Sequence, residues 1–464
     1  MICLNRRSVK ISNSTKNTPR SLSVQILNRI ETERAFAQPL LDTYLSRNIL
    51  ANTQDRGLLT QLVYGTLRFR NRLDWIIRAL YTGDFESMEV GIRNILRVAI
   101  YQLLFADRIP EYAATNEAVK MTKKLYPGRS NLVNAILRNA MRRMDEISYP
   151  LFDNNPLFHI SVLHSHPLWM VEMWAREHGV EDTRALCKSN NAIPPLTIRS
   201  NTLKTTRSDL IGMLEDRGCG ATPTRYSPHG IVISGLTEFI GTTDLYEEGY
   251  MQMQDEASQL ISFLLDPKPG ETVLDVCAGA GVKTTHMAAL MHNRGRIVAM
   301  DINRRKVEES QNLSNRLGAT IIEPIVQDAT QNPPNDFIGK FDKILVDAPC
   351  SGMGTVRRHP EIKWNTTPED MKKNSQLQKE ILNRSVPYLK KGGSMVYSTC
   401  TVSSIENEEV VREFLAIHPD FESTGQTAFA ADMVDRYGMF RTFPHRHGTD
   451  GFFGVILKRK GDKL

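Results

Sequence analysis

Apolar residues recur along this chain with two different periods. From about residue 21 to about residue 147 the period is helical. Ile92, Ile95, Leu96, Ala99, Ile100 and Leu103 fall at i, i+3, i+4, i+7, i+8 and i+11, one continuous stripe down an α-helix. Leu132, Val133, Ile136, Leu137, Ala140 and Met144 draw another, with Ser130 placed to cap its start. Several such stripes in one block predict a small all-α bundle. Asp153-Asn154-Asn155-Pro156, with Pro150 before it, reads as a linker. Trp169, Met173 and Trp174 then sit on a short amphipathic helix, read as core.

From about residue 195 the period changes. Leu196-Thr197-Ile198-Arg199 reads as a strand, 206–216 as a helix ending at Gly218, and Ile231-Val232-Ile233 as another strand. This is a small α+β module. Its loop Arg199–Lys204 is polar and basic, which turn chemistry alone accounts for. From about residue 250 strands and helices alternate: strands at 272–277, 296–301, 320–326, 341–347 and 394–400, helices at 283–292, 303–317, 368–389 and 404–417, and a closing strand-like run at 452–458. Alternation of this kind predicts a doubly wound, mostly parallel sheet.

The chain has 464 residues, more than a single core supports, so two or three domains are expected. A net charge of +6 is a mild basic excess, compatible with a polyanionic partner without requiring one. Arg68, Arg70, Arg72, Lys120, Lys123, Lys124, Arg138, Arg142 and Arg143 lie between the helical stripes. They form either a solvated polar face or one that meets RNA. Six cysteines, at 3, 187, 219, 277, 350 and 400, include no C-x-x-C pair, so neither a disulfide framework nor a metal cluster is expected. Scattered free thiols suit a reducing cytosol. No run reaches the roughly 18 apolar residues of a membrane span. The first twenty residues carry Arg6, Arg7, Lys10, Lys16 and Arg20 and no acid, without the apolar core of a secretory signal. A disordered basic arm is the expectation there, with an organelle transit peptide as the alternative.

Candidate chemistry gathers at the predicted strand ends. Ile344-Leu345-Val346 runs into Asp347-Ala348-Pro349-Cys350-Ser351-Gly352, and Ser394–Thr399 runs into Cys400. A carboxylate and two thiols therefore sit at carboxyl ends of strands, where open α/β sheets place their ligands. Val273–Cys277 runs into Ala278-Gly279-Ala280-Gly281-Val282-Lys283, a Gly-x-Gly turn between strand and helix that lets a ligand approach the backbone. Asp301, ending the next strand, can accept the two ribose hydroxyls of an adenosine. Asp328, after the third strand, can accept from an adenine amine, or it caps a helix. NAD and S-adenosylmethionine both suit this layout. NAD favours Gly-x-Gly-x-x-Gly, and Thr284 stands where the third glycine belongs. The spacer of a P-loop is missing. If the cofactor gives a methyl group, paired thiols suit carbon 5 of a pyrimidine. A thiolate adding at C6 makes C5 nucleophilic, a base then removes the C5 proton, and the thiolate leaves. Asp347 is placed to stabilise charge near N3 or the exocyclic amine. Spacing does not rank the thiols; both as buried small hydrophobes, or joined as a disulfide, are the plainer readings.

The stretch Asp347–Trp364, Asp-Ala-Pro-Cys-Ser-Gly-Met-Gly-Thr-Val-Arg-Arg-His-Pro-Glu-Ile-Lys-Trp, and Tyr397-Ser-Thr-Cys-Thr-Val resemble the Sun family of RNA cytosine-5 methyltransferases. The helical block, with Leu62–Arg68, Tyr101–Phe105, Asn116–Val119 and Val133–Arg138, is similar to the NusB-like domain of the bacterial 16S rRNA branch. Beyond the basic arm read from composition at 1–20, the resemblance implies an all-α NusB-like bundle at 21–147, a small α+β (RRM-like) module at 155–248, and a Rossmann-like class I methyltransferase domain at 249–460. It implies S-adenosylmethionine held by Cys277, Ala278, Gly279, Ala280, Gly281, Val282 and Lys283 and by Asp301, Asp328 and Asp347. It implies that Cys400 attacks the base and Cys350 assists release. Against the family's usual Cys-Ala-Ala-Pro-Gly-Gly-Lys-Thr, Gly279, Ala280 and Val282 replace alanine, proline and glycine, which alters loop stiffness. Arg357, Arg358, His359, Lys363 and Trp364 are expected to hold phosphates and pack on a flipped-out base, a buried tryptophan in a surface loop being the alternative. Asp450-Gly-Phe-Phe453 and Arg441–His447 are similar to the family's closing segment. The function so implied is methylation of a cytosine in naked or partly assembled small-subunit RNA by a cytoplasmic monomer. The alternatives are a tRNA methyltransferase, an RNA-binding assembly factor with a vestigial catalytic domain, and, more distantly, an NAD oxidoreductase.

Overall fold

The computed structural model describes residues 18–46, 50, 52–106, 110–236, 240–425, 431–435 and 437–461. The expected basic arm lies outside them except at Thr18, Pro19 and Arg20. These three open the first helix, Pro19–Glu33, where the Thr18 and Ser21 side chains cap each other's backbone N–H. The chain forms two compact units: residues up to Met173 together with His359–Asn365, and Trp174–Arg358 together with the chain from Thr366 onward.

The first unit is helical, as the apolar stripes require. Its central helix, Val90–Phe105, buries Ile92, Ile95, Leu96, Ala99 and Ile100 against helices Pro19–Glu33, Thr53–Arg68, Glu111–Leu125 and Ser130–Arg143. Ser130 is the first helical residue of the last of these, not its cap; Arg129 holds that position and makes no side-chain bond to the helix. Arg97 is 2 % exposed and is tolerated in the core because Asp74 and Glu31 each meet it at 2.6 Å. Of the basic residues read as a polar face, Arg68 is buried and Arg70 is half-buried, paired with Glu31. Arg138 and Arg142 remain exposed.

The second unit holds two sheets. Strands β1 (Leu196–Ser200), β2 (Gly220–Pro223), β3 (Gly230–Ser234) and β4 (Met251–Met253) form an antiparallel sheet in the order β2-β3-β1-β4. Helix Arg207–Glu215, capped by Thr206, buries Leu210 and Leu214 in the same core as Ile198, Ile231 and Ile233. The larger sheet contains β5 (Thr272–Asp275), β6 (Arg296–Asp301), β7 (Ile322–Val326), β8 (Phe341–Asp347), β9 (Leu389–Thr399), β10 (Phe421–Thr424), β11 (Phe440–Arg441) and β12 (Phe453–Arg459). Its order is β10-β12-β9-β8-β5-β6-β7, with β11 on β12. Strands β5 to β9 pair in parallel, and β12 runs antiparallel to β9. The chain winds from β5 to one side through β6 and β7, then crosses to β8. The crevice between the carboxyl ends of β5 and β8 is therefore the topological switch point of the sheet.

Two boundaries differ from the sequence reading for a local reason. The helix expected to reach 389 stops at Ser385, because Pro387 has no N–H to continue it. The strand expected from 394 begins at Leu389 and passes a register shift against β8. Strands β2, β4, β10 and β11 were not expected; each has four residues or fewer, too short to show alternation. Among the described residues no helix is long and apolar enough to cross a membrane.

Candidate active site

Four strand ends supply the site. Strand β5 ends at Asp275, whose Oδ2 accepts the Thr284 hydroxyl at 2.7 Å. Burial, with Asp347 and Asp301 nearby, pushes this carboxyl up to about 7. The chain then turns through Gly279 and Gly281, both with positive φ (57° and 80°), a backbone that favours glycine. A Cβ on Gly281 would also lie 2.4 Å from the Ser310 hydroxyl, whereas one on Gly279 would meet nothing within 4 Å. Gly281 caps helix Val282–Leu290. Cys277, by burial, is held well above the usual thiol range and is a neutral packing group beneath the loop.

Strand β6 ends at Asp301, whose Oδ2 accepts Gly279 N–H at 3.0 Å and whose Oδ1 accepts Asn303 N–H at 2.8 Å. A carboxylate has about four acceptor positions, so two remain for a ligand. Asp328, just beyond β7, accepts the Thr330 N–H and hydroxyl at 2.9 and 2.7 Å, which hold it below the usual carboxylate range. No helix starts there, so Asp328 closes a turn rather than capping a helix, and Oδ2 is left to at most a 3.5 Å bond from Gln331.

Strand β8 ends at Asp347. Its Oδ2 meets Lys283 Nζ at 2.6 Å and its Oδ1 accepts the Ser398 hydroxyl of β9 at 2.7 Å. Burial disfavours the Lys283 ammonium, but Asp347 outweighs it and the net shift is upward, so the lysine stays charged. Its Nζ lies 5.2 Å from the centre of the Phe452 ring. Lys283 thereby ties the cofactor loop, β8 and the closing segment together.

The two thiols meet. Cys350 Sγ and Cys400 Sγ lie 3.4 Å apart, on the loops that leave adjacent parallel strands β8 and β9. The hydrogen bond to Cys400, then burial, raise Cys350 well above the usual thiol range, which keeps this thiol neutral; either sulfur can donate in the contact. A backbone bond from Gly354 N–H to Cys400 C=O, 2.9 Å, closes one loop on the other. Gly451 N–H in turn donates to Gly354 C=O at 2.8 Å, so the closing segment does lie beside the thiols. All the described cysteines are free.

The basic and aromatic residues after Cys350 are placed otherwise than the RNA-contact expectation requires. Arg357 and Arg358 are engaged by two buried carboxylates: Asp450 accepts from both at 2.8 and 2.7 Å, and Asp255 meets Arg358 at 2.8 Å. Lys363 is 1 % exposed and donates to the carbonyls of Arg68 and Ser165 at 2.7 and 2.8 Å. Trp364 Nε1 donates to Leu67 C=O at 2.7 Å, with Arg70 over its ring. Of the five, only the His359 side chain is substantially exposed, at 40 %. Unpaired carbonyls and carboxylates recruited these groups, which no local pattern could announce.

Asp275 and Thr284, which flank the Cys277–Lys283 loop on strand β5 and on the helix after it, were not named as site residues; an acid closing the strand before Gly-x-Gly was the available signal. Arg199 was left to turn chemistry. It is 1 % exposed and donates to Val282 C=O at 2.8 Å and to Thr285 Oγ1 at 3.1 Å, bracing the first turn of helix Val282–Leu290. Burial lowers it to about 9.

Comparison with known proteins agrees with this arrangement. Residues 262–458 match the family model described as 16S rRNA methyltransferase RsmB/F, residues 17–142 match the NusB family, and residues 166–238 match the ferredoxin-like domain of RsmF/B-like methyltransferases. The chain is 34 % identical to the probable ribosomal RNA small subunit methyltransferase B of Bacillus subtilis (strain 168), covering 96 % of this chain and 100 % of that one. It is 32 % identical to the ribosomal RNA small subunit methyltransferase B of Pseudomonas putida (strain KT2440), over 95 % and 98 % of the two chains. The crystal structure of PH0851 superposes with a TM-score of 0.79 at 29 % identity, over 96 % and 99 %. With a helical NusB-like unit, a ferredoxin-like module and paired thiols beside a cofactor crevice, the chain belongs to the RsmB/F family of 16S rRNA methyltransferases.

Proposed function

We propose that this protein methylates carbon 5 of a cytosine in small-subunit ribosomal RNA, using S-adenosylmethionine, with Cys400 as nucleophile. The observation that carries the reading is the 3.4 Å pair of thiols on adjacent strand ends, with Asp347 on the same edge. The crevice suits the cofactor. Asp347 is paired with Lys283, while Asp301 has no ion pair among the described residues, an acidic balance that favours a sulfonium cation over the pyrophosphate of NAD. Asp301 keeps acceptor positions for a ribose diol, and the left-handed Gly279 leaves open space along the loop. When bound, the cofactor supplies an electrophilic methyl group.

The residues then act as follows. The Cys400 thiolate adds to C6, and C5 becomes the nucleophile toward the methyl. As the thiolate adds, N3 takes up a proton from water, and the Asp347 carboxylate, held between Lys283 and Ser398, accepts from the N3–H and 4-amine edge. After methylation a base takes the C5 proton, the C5–C6 double bond re-forms, and the C6–sulfur bond breaks. The neutral Cys350 thiol donates to the sulfur that departs. RNA as substrate is supported by helix Ser130–Arg143. It carries no acid and presents Asn131, Asn134, Arg138, Asn139 and Arg142 along an open hollow of about 320 Å³. Small-subunit RNA, rather than tRNA, is supported by its relatives, which are named ribosomal RNA small subunit methyltransferase B. Free thiols suit a cytoplasmic setting, and the monomer is the simplest form in which one chain carries the whole site.

Two variants test this. Cys400→Ala is expected to abolish methyl transfer to a small-subunit RNA transcript while cofactor still binds. Cys350→Ala is expected to accumulate a covalent RNA adduct on a denaturing gel. Turnover by Cys400→Ala, or adduct in that variant and not in Cys350→Ala, reverses the assignment.

A further inference from the structure

We propose that Glu406 is a positioning residue for Cys350: its carboxylate, with Gln378, grips the two peptide groups that flank this thiol and so sets Cys350 Sγ against Cys400 Sγ. This rests on the roles given to the two thiols above.

Glu406 lies six residues beyond Cys400, on the turn Ser404–Glu406, and is fully buried. Its Oε1 accepts the N–H of Ser351 at 2.8 Å and its Oε2 accepts the Ser351 hydroxyl. Gln378, on helix Pro368–Ser385, donates through one amide nitrogen to Glu406 Oε1 at 3.2 Å and to Pro349 C=O at 2.9 Å. Pro349 and Ser351 are the two neighbours of Cys350, so the thiol is slung between a held carbonyl and a held N–H. The same bracket reaches the other thiol: Ser351 Oγ lies 2.9 Å from Thr401 Oγ1, and Thr401 follows Cys400.

The turn that carries Glu406 is itself fixed. The Tyr397 hydroxyl of β9 donates to Glu406 C=O at 2.6 Å, Ser375 donates to Ile405 C=O at 2.8 Å, and Ser404 donates to Glu177 at 2.8 Å. No cation forms an ion pair with Glu406 among the described residues. A buried carboxyl without a cation is costly; hydrogen bonds from Ser351, Gln378 and Asn374 offset that cost in part, and burial still raises Glu406 above the usual carboxylate range. Glu406 touches no reacting atom; it acts through Ser351. Loosening it should therefore affect the step that needs Cys350, release, and spare the step that needs Cys400, attack.

The test follows adduct formation and adduct release separately, on a denaturing gel, with a small-subunit RNA transcript and S-adenosylmethionine. Wild type, Cys350→Ala, Glu406→Ala and Glu406→Gln are run side by side. Glu406→Ala is expected to slow release roughly tenfold, the scale of one lost charge-assisted hydrogen bond, while adduct forms within about twofold of the wild-type rate. Glu406→Gln keeps an acceptor for Ser351 N–H and should recover most of the release rate. Should Glu406→Ala fail to fold, Gln378→Leu cuts the Pro349 arm of the same bracket and should give the same split. Equal slowing of both steps, or loss of turnover without adduct, overturns the proposal. Adduct in Cys350→Ala with none in Glu406→Ala or Gln378→Leu overturns it alone. Absence of adduct in Cys350→Ala overturns the thiol roles and this proposal together.

Discussion

Asp275 ends β5 with one carboxylate oxygen on the Thr284 hydroxyl and the other buried without a partner. Its value of about 7 lies well above the ordinary carboxylate value near 4. The folded protein therefore binds this proton more tightly than the unfolded chain does. Below about pH 4 both states are protonated and nothing is lost; as pH rises toward 7 and beyond, the charged carboxyl costs stability. Asp275→Asn cannot ionise, so in urea unfolding of the ligand-free protein it should gain about 1–3 kcal/mol on wild type between pH 5 and pH 8. A gap that does not change with pH would rule out a proton held at this position. Asp301 makes a different prediction, because its charge has two backbone N–H partners and spare acceptor positions. Asp301→Ala should weaken S-adenosylmethionine binding by about 1–3 kcal/mol in a calorimetric titration, the worth of hydrogen bonds to a charged group. Both acids stand at strand ends that the apolar pattern marks, and Asp301 was read from that position. Asp275 was overlooked because its burial, and with it its proton affinity, depends on what covers it.

At the scale of elements, the thiols are brought together by strand pairing. Val346 and Asp347 of β8 stand opposite Tyr397 and Ser398 of β9, so the loops that follow leave the same edge of the sheet. The closing segment then packs down without side chains between: a Cβ on Gly354 would lie 1.9 Å from Gly451 O and 2.8 Å from Cys400 O. Both neighbours are backbone and cannot swing aside. Gly354→Ala should therefore displace the Cys400 loop and lower methyl transfer about 100-fold, the cost of a shift near 1 Å in a catalytic group. Helix Ser130–Arg143 carries its own prediction. Arg138 and Arg142 make no ion pair among the described residues, unlike Arg129 and Arg143, which pair with Glu89 and Glu146. Charge reversal of Arg138 and Arg142 to Glu should raise KM for RNA and flatten the salt dependence of binding by about two units of slope, with kcat unchanged at saturating RNA. An unaltered salt slope would remove this face from the RNA path. The apolar stripe located the helix; which of the exposed arginines an acid engages was settled by the acids that lie near them.

For the whole molecule, the main surprise is the path of residues 359–365. They follow the Cys350 motif in sequence, yet they belong to the helical unit. There Lys363 donates to two buried carbonyls and Trp364 packs against the helical core. Lys363→Met would leave the carbonyls of Arg68 and Ser165 without that donor, and should destabilise the helical unit by about 2–4 kcal/mol, seen as a lower thermal midpoint. An unchanged midpoint would mean that water replaces the ammonium. The amino-acid sequence by itself determined a good deal: a helical block, a small α+β module, a parallel sheet, a nucleoside crevice and two thiols at strand ends. Those follow from periodicity and from residues placed where a strand must stop, both local properties. Only the tertiary structure decided that Arg357, Arg358, Lys363 and Trp364 are internal ties. It also brought Glu406 and Gln378 onto Ser351 N–H and Pro349 C=O, the peptide groups that flank Cys350, from positions far along the chain. A buried polar group is satisfied by whichever partner the fold brings near, and that choice leaves no periodic trace along the chain.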